Sequence, residues 1–142
     1  MPTNLLAMPL CSLIVQTGTN EDWIDSIKFL VGTGGDDSNL AALPQLDLRG
    51  IVFEMEVRRT APDHQVVINA TTEDGSIIIG TPPDYGFLII NVDLDEMKIQ
   101  QPGQYVADII GKEYVGPLGE LTLATQRVVC MIDLTIVQGI TR

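Results

Sequence analysis

The chain has 142 residues, and its 8 Lys plus Arg against 19 Asp plus Glu give a formal net charge of −11. Its length fits one domain with its own core, and its 45% hydrophobic content excludes a disordered chain. Nucleic acid and anionic membrane surfaces are excluded as partners because both require clustered basic residues, and the densest basic cluster is the pair Arg58 and Arg59.

The N-terminal part of the chain predicts an arm followed by two strands. We expect an arm over residues 1–9, which either frays or contacts a neighbouring molecule, and one domain over residues 10–142. Strands are predicted at residues 12–16 and 24–30. The glycine-rich segment GTGGDDSN at residues 32–39 then predicts a polar loop.

The middle of the chain alternates apolar and charged residues. In IVFEMEVRR, at residues 51–59, every second side chain is apolar, which predicts a half-buried strand. Residues 66–72 predict its antiparallel partner and residues 76–80 a short strand. Residues 87–92 are apolar on both parities, so we expect a central strand that is covered on both faces.

A single short helix interrupts this pattern between Asp93 and Ile99, with Asp93 as its N-cap. A strand is then predicted at residues 104–111, a hairpin turn at 112–119, and a long strand at 120–137. In the last strand five apolar residues share one parity and are expected to be buried: Val128, Cys130, Ile132, Leu134 and Ile136. The sequence therefore predicts an all-β fold of about seven to nine short strands, either a sandwich or a barrel.

The residues offer little catalytic chemistry. His64 is the only histidine and lies in a predicted turn, and no serine stands in a G-x-S-x-G elbow. Cys11 and Cys130 lie near opposite ends of the chain, which favours buried free thiols over a disulfide. The same separation does not suit a zinc site. If the first and last strands are neighbours, the two thiols could approach. We expect no metal and no cofactor.

Carboxylates leave two further hypotheses open. Asp93 or Glu96 could serve a small hydrolase, although glycosidase chemistry needs two carboxyls across a sugar cleft. Asp36 and Asp37 in the glycine-rich loop lack the spacing of a calcium loop. We interpret these carboxylates as solvated side chains.

Several segments together carry a family resemblance. The family pattern has an early strand that ends near QG or TG, a DLTG segment before a strand, and a late L-x-x-G-x-Y strand start. The matching segments here are residues 16–18 followed by Trp23, LDLRG at 46–50 leading into IVFEMEVRR, TTEDGSIII at 71–79, QQPGQYVADII at 100–110, and residues 133–142. Over residues 10–142 the chain resembles the N-terminal domain of phage baseplate upper proteins and short tail-associated proteins of prophages. Arg49 stands where Thr is usual, and the GTGGDDSN segment lengthens a loop.

This resemblance implies an immunoglobulin-like antiparallel β-sandwich with a structural role. We expect a non-enzymatic virion component, made in the bacterial host cytoplasm, that works through protein contacts in a tail, baseplate or fibre assembly. Its partners would be other tail or baseplate proteins or further copies of itself. The contact surfaces would be a sheet edge or loops such as residues 32–39 and 81–86.

The alternative is a carbohydrate-binding receptor-recognition module of the same fold. Such a module needs exposed aromatic side chains along one face, for which Trp23, Tyr85 and Tyr114 are the candidates. With Asp36 and Asp37 these are the predicted partner or ligand contacts.

Overall fold

The computed structural model describes residues 4–8, 10–30, 45–60, 62, 64–117 and 119–139. The loop predicted at residues 32–39 lies outside these ranges. The described elements are a 3₁₀ helix (Leu5–Ala7), β1 (Cys11–Gly18), β2 (Trp23–Lys28), β3 (Val52–Arg58), β4 (Ile68–Thr71), β5 (Ile77–Ile79), β6 (Phe87–Val92), α1 (Leu94–Met97), β7 (Gly103–Val115) and β8 (Thr122–Val137).

The strands form two sheets. One sheet has five strands in the order β1-β8-β7-β3-β4, and the other has three in the order β2-β6-β5. The predicted β-sandwich with one short helix is therefore confirmed. The first strand, β1, runs parallel to the last strand, β8, whereas the other strand pairs are antiparallel.

One hydrophobic core lies between the sheets. The five-stranded sheet contributes Phe53, Met55 and Val57 from β3, because alternate side chains of a strand point to the same face. The three-stranded sheet contributes Leu88 and Ile90 from β6 to the same cluster. The predicted alternation in residues 51–59 is thus confirmed.

Two predictions about strand faces are wrong. β6 is central in its sheet, but only Leu88, Ile90 and Val92 are buried, and the opposite face carries exposed Asn91. In β8, Val128 is 39% exposed while Val129 is buried. The cause is a bulge, because Ile109 pairs with Cys130 whereas the next residue of β7 pairs with Val128.

The predicted helix and its cap are confirmed. Asp93 accepts a hydrogen bond from the Glu96 amide at 3.1 Å, and Leu94 donates its amide to Asp22 at 2.7 Å. The predicted turn at residues 112–119 is shorter than expected, because β7 continues to Val115.

Part of the predicted N-terminal arm packs on the domain. Leu5 and Met8 are fully buried in the common core. Gly111 on β7 makes room for Leu5, since a Cβ atom there would lie 2.6 Å from Leu5 Cδ1. Asn4 also donates its side-chain amide to the Asp47 carbonyl at 2.9 Å. Residues 4–8 therefore close one end of the sandwich.

Candidate interaction surface

The outer edge of β1 is the most unusual surface of the described structure. β1 pairs with β8 on one side only, and no described strand pairs with its other side. Its eight residues, CSLIVQTG, include no charged side chain and no proline. Ile14, at the centre, is 88% exposed. Soluble proteins normally protect such an edge with charges, prolines, bulges or short strands.

The other three sheet edges carry such protection. β2 contains Asp25 and Lys28 within six residues. β4 has four residues and β5 has three, so each offers few unpaired backbone groups. β1 is therefore the one edge, among the strands that the structure describes, that is both long and uncharged.

The sandwich is also incompletely closed along β1. Leu13 and Val15 share the inward parity, yet both remain only partly buried against the core. A sheet edge leaves one flank of each inward side chain uncovered. A further strand beside β1 would cover that flank and remove apolar area from water.

The outer face of the five-stranded sheet mixes apolar and polar side chains beside β1. Ile14 has Asp133 as its register partner on β8, and Ser12 has Met131, which is exposed. Asp108 on β7 pairs in turn with Met131. Apolar and polar side chains thus alternate across the strands beside the β1 edge.

Asp108 lies in a notch of about 90 Å³ on this face. Its Oδ1 atom is buried and has no hydrogen-bond partner among the described residues. Burial raises the pKa of the Asp108 carboxyl, and the charge of Arg58 opposes this shift. Arg58 is itself bonded to Glu56. The face therefore contains a buried carboxylate oxygen, Asp108 Oδ1, that no described residue satisfies.

A second apolar surface lies at the β7–β8 hairpin. The hairpin extends beyond its two neighbouring strands. The pairing of β3 with β7 ends at Lys112, and the pairing of β1 with β8 ends at Cys130. Val115, Leu121 and Leu123 near its tip are all exposed. This tip differs from the β1 edge because its backbone groups are already paired within the hairpin.

A polar cleft of about 390 Å³ lies at the corner between the sheets. Asn69 and Asn91 line it together with carboxylates from the β4–β5 turn and the start of α1. Asp74 already accepts bonds from the Ser76 amide and hydroxyl, and these bonds lower the pKa of Asp74. Asp74 therefore serves a local turn, and Asp93 serves as a helix cap.

Trp23, a predicted contact residue, is instead in the core. It is 1% exposed, and its indole Nε1 donates to Asp25 Oδ2 at 2.7 Å. Trp23 points to the same inward face of β2 as Asp25 and Ile27. The apolar alternation that would indicate a buried Trp23 is interrupted in the sequence by the polar Asp25. The prediction that Trp23 forms part of an exposed surface is wrong.

Tyr85 and Tyr114, the remaining predicted contact residues within the described ranges, are both partly buried. Tyr85 is partly buried, and the Arg49 guanidinium lies 3.8 Å from its ring centre. Tyr114 is half-buried on β7 and pairs with Leu123. Asp36 and Asp37 lie outside the described residues.

The predicted loop at residues 81–86 is held by its neighbours. Gln45 accepts a hydrogen bond from the Gly86 amide at 3.0 Å and donates to Asp84 at 3.3 Å. The Leu48 amide donates to the Tyr85 carbonyl. Thr81 and Asp84 remain exposed, but the loop presents no large apolar side chain.

The two cysteines meet across β1 and β8. Cys11 and Cys130 are register partners, and both are free thiols. A hydrogen bond from Cys130 lowers the pKa of Cys11, whereas the bond to Cys11 and burial raise the pKa of Cys130. The first and last strands are neighbours, so the two thiols approach each other as expected in that case.

Within the described ranges, no group of three or more His, Cys, Asp or Glu side chains could hold a metal ion. His64 is exposed. No helix of the described chain is long and apolar enough to cross a membrane.

Comparisons with known proteins give structural neighbours only. No family model and no curated protein matches the chain. The NK cell receptor NKp44, a triggering partner in natural cytotoxicity, matches 89% of this chain and 98% of its own, with 10% identity and a TM-score of 0.37. The second immunoglobulin domain of the mouse polymeric immunoglobulin receptor matches 89% of this chain and 96% of its own, with 10% identity and a TM-score of 0.35. Because both TM-scores are below 0.5, neither match carries an argument about function.

Proposed function

We propose that this chain is a non-enzymatic structural or adaptor component of a phage or prophage tail, baseplate or fibre assembly. The sequence resemblance over residues 10–142 supports the kind of assembly. The observation that carries a role in protein contacts is the long, uncharged outer edge of β1. In this proposal the chain is a virion component made in the bacterial host cytoplasm.

The β1 edge suits a protein partner because its free backbone groups can bond to an added strand. Main-chain hydrogen bonds would supply affinity, and the side chains on the two faces would supply specificity. Ile14 then lies at the centre of the contact, where an exposed isoleucine gains most from being covered.

Any partner must also tolerate an acidic surface. Glu54 and Glu56 point outward on β3, and Lys112 and Arg58 compensate them by ion pairs. Asp133, beside Ile14 in register, is exposed and has no ion pair among the described residues. A partner with basic side chains near this position would gain from the charge.

The test is to purify phage particles from a host that encodes the chain and to quantify the chain by mass spectrometry. The proposal expects a fixed number of copies per particle, retained after the particles are washed at high salt. Absence of the chain from intact particles, while it is abundant in the host cells, would contradict the proposal.

The carbohydrate-binding alternative receives no support from the aromatic side chains. It required Trp23, Tyr85 and Tyr114 to be exposed along one face. Trp23 is in the core, and Tyr85 is covered by Arg49. We therefore do not propose it as a second function.

A further inference from the structure

We infer that the partner at the β1 edge is a second copy of this chain, joined by antiparallel pairing of the two β1 strands about a twofold axis at Ile14. The inference rests on the proposed function, because it identifies the partner at that same surface. The result would be a continuous ten-stranded sheet made from two five-stranded sheets. Antiparallel strands related by a twofold axis form a closed, isologous dimer.

The side-chain pattern of β1 is self-complementary about Ile14. Ser12, Ile14 and Gln16 share the outward parity, and Leu13 and Val15 share the inward parity. Antiparallel pairing places Ile14 opposite its own copy, since the axis passes through it. Leu13 then faces Val15 of the second copy, and Ser12 faces Gln16 of the second copy. Apolar side chains thus meet apolar ones, and polar side chains meet polar ones.

The charge pattern also permits self-association in spite of the net charge of −11. β1 has no charged residue, so no like charges stand directly opposite each other at the new seam. The nearest exposed carboxylate in register is Asp133 on β8. The two copies of Asp133 would be three strand spacings apart, about 14 Å, which exceeds the screening length of about 8 Å at physiological salt.

Pairing would also complete the burial of the inward side chains at this edge. Leu13 and Val15 already pack against the core but are only partly buried. Each would be covered on its open flank by the inward side chains of the second β1. Other edges gain less, because β4 and β5 are short and β2 carries Asp25 and Lys28.

Sedimentation or light scattering over a range of protein concentrations tests the inference. The wild-type chain is expected to form dimers. Ile14→Lys is expected to raise the dimer dissociation constant about tenfold or more, because two lysines would face each other across the seam and the isoleucine contact would be lost. Added salt should tighten the wild-type dimer, since the two copies carry the same net charge.

Ile24→Lys is the matched control. Ile24 lies on β2, an edge strand of the other sheet, points outward and is 62% exposed. The same substitution there should leave the dimer unchanged. Circular dichroism and thermal unfolding of both variants establish that each remains folded.

Cross-linking tests the register independently of Ile14. Ser12→Cys and Gln16→Cys variants are mixed under mild oxidation, and linked peptides are identified by mass spectrometry. The twofold pairing expects mixed disulfides between the two variants in preference to disulfides within either one. A preference for links between two Ser12→Cys chains would overturn the antiparallel register.

A chain that stays monomeric up to about 1 mM overturns the inference, because even a dimer with a dissociation constant of about 1 mM would hold about half of the chains at that concentration. A dimer that Ile14→Lys and Ile24→Lys affect equally overturns it as well. Neither outcome removes the proposed function, which is decided by whether the chain is present in purified particles.

Discussion

Cys11 and Cys130 lie opposite each other in the parallel pair of β1 and β8. This contact joins the first strand of the sandwich to the last. The hydrogen bond between the thiols makes them unequal, since it lowers the pKa of Cys11 and raises the pKa of Cys130. Exposure also favours reaction at Cys11 over Cys130, because Cys11 is partly exposed and Cys130 is buried.

Cys11 is therefore expected to react with iodoacetamide before Cys130 in the folded chain, because the thiolate is the reactive form. Mass spectrometry of native protein should find one label, and protein in urea should carry two. The Cys11→Ser variant should take no label while folded. Equal labelling of both thiols in the folded wild type would contradict the geometry.

Asp108→Asn is expected to stabilise the fold at neutral pH. Burial raises the pKa of the folded-state carboxyl above its ordinary value of 3.8, so the unfolded chain ionises first as pH rises. The wild type therefore loses stability from about pH 4 upward through the folded-state pKa. The variant should gain stability at pH 7, by less than about 1 kcal/mol because solvent screens this partly exposed carboxyl, and nothing at pH 3, as measured by urea unfolding.

Asp133→Asn is the control for that experiment. It removes a charge from an exposed position on the same outer face. The expected change in unfolding free energy at pH 7 is within about 0.5 kcal/mol. If the two variants are equally stabilised, general charge repulsion and not burial of Asp108 is the cause.

Leu5→Ala is expected to destabilise the domain by about 2–5 kcal/mol, because Leu5 is fully buried against β7. Leu6→Ala changes the neighbouring leucine, which is exposed, and should have an effect within about 0.5 kcal/mol. Chemical unfolding of both variants measures the difference. Equal effects would show that residues 4–8 do not pack as described.

Trp23→Ala is expected to destabilise the fold by about 3–5 kcal/mol, because the indole fills the core and its Nε1 bonds to Asp25. Tryptophan fluorescence of the wild type should be blue-shifted and poorly quenched by iodide. Ile24→Ala, next in the strand but outward, should be nearly neutral. Efficient quenching of the folded wild type would contradict the burial of Trp23.

The strand pattern could be predicted where local alternation is unbroken. β3 places its apolar side chains inward as predicted, and Asp93 caps the one α-helix. The prediction failed where packing beyond the strand decides the outcome. The bulge opposite Ile109 and Ile110 reverses the faces of Val128 and Val129, and no two-residue period can reveal an extra residue in one strand.

The candidate surface could be only partly predicted. The absence of charge in residues 11–18 is visible in the sequence, but the position of β1 at a sheet edge depends on its pairing with β8, more than 100 residues away. Trp23 is a predicted contact because a carbohydrate-binding module needs exposed aromatic side chains, but the indole lies in the core on the same face of β2 as Asp25. The indole hydrogen bond explains why a carboxylate can share that face.

Amide hydrogen exchange of the wild-type chain at low and high protein concentration tests most directly whether the outer edge of β1 is a protein-contact surface. Residues 11–18 should exchange more slowly at high concentration, because the second copy supplies partners for those amides of β1 that point away from β8. Residues 23–28 of β2, the edge strand of the other sheet, should exchange at the same rate in both samples. Unchanged exchange in β1 up to the highest concentration, or slowing confined to another strand, would contradict the assignment of this edge.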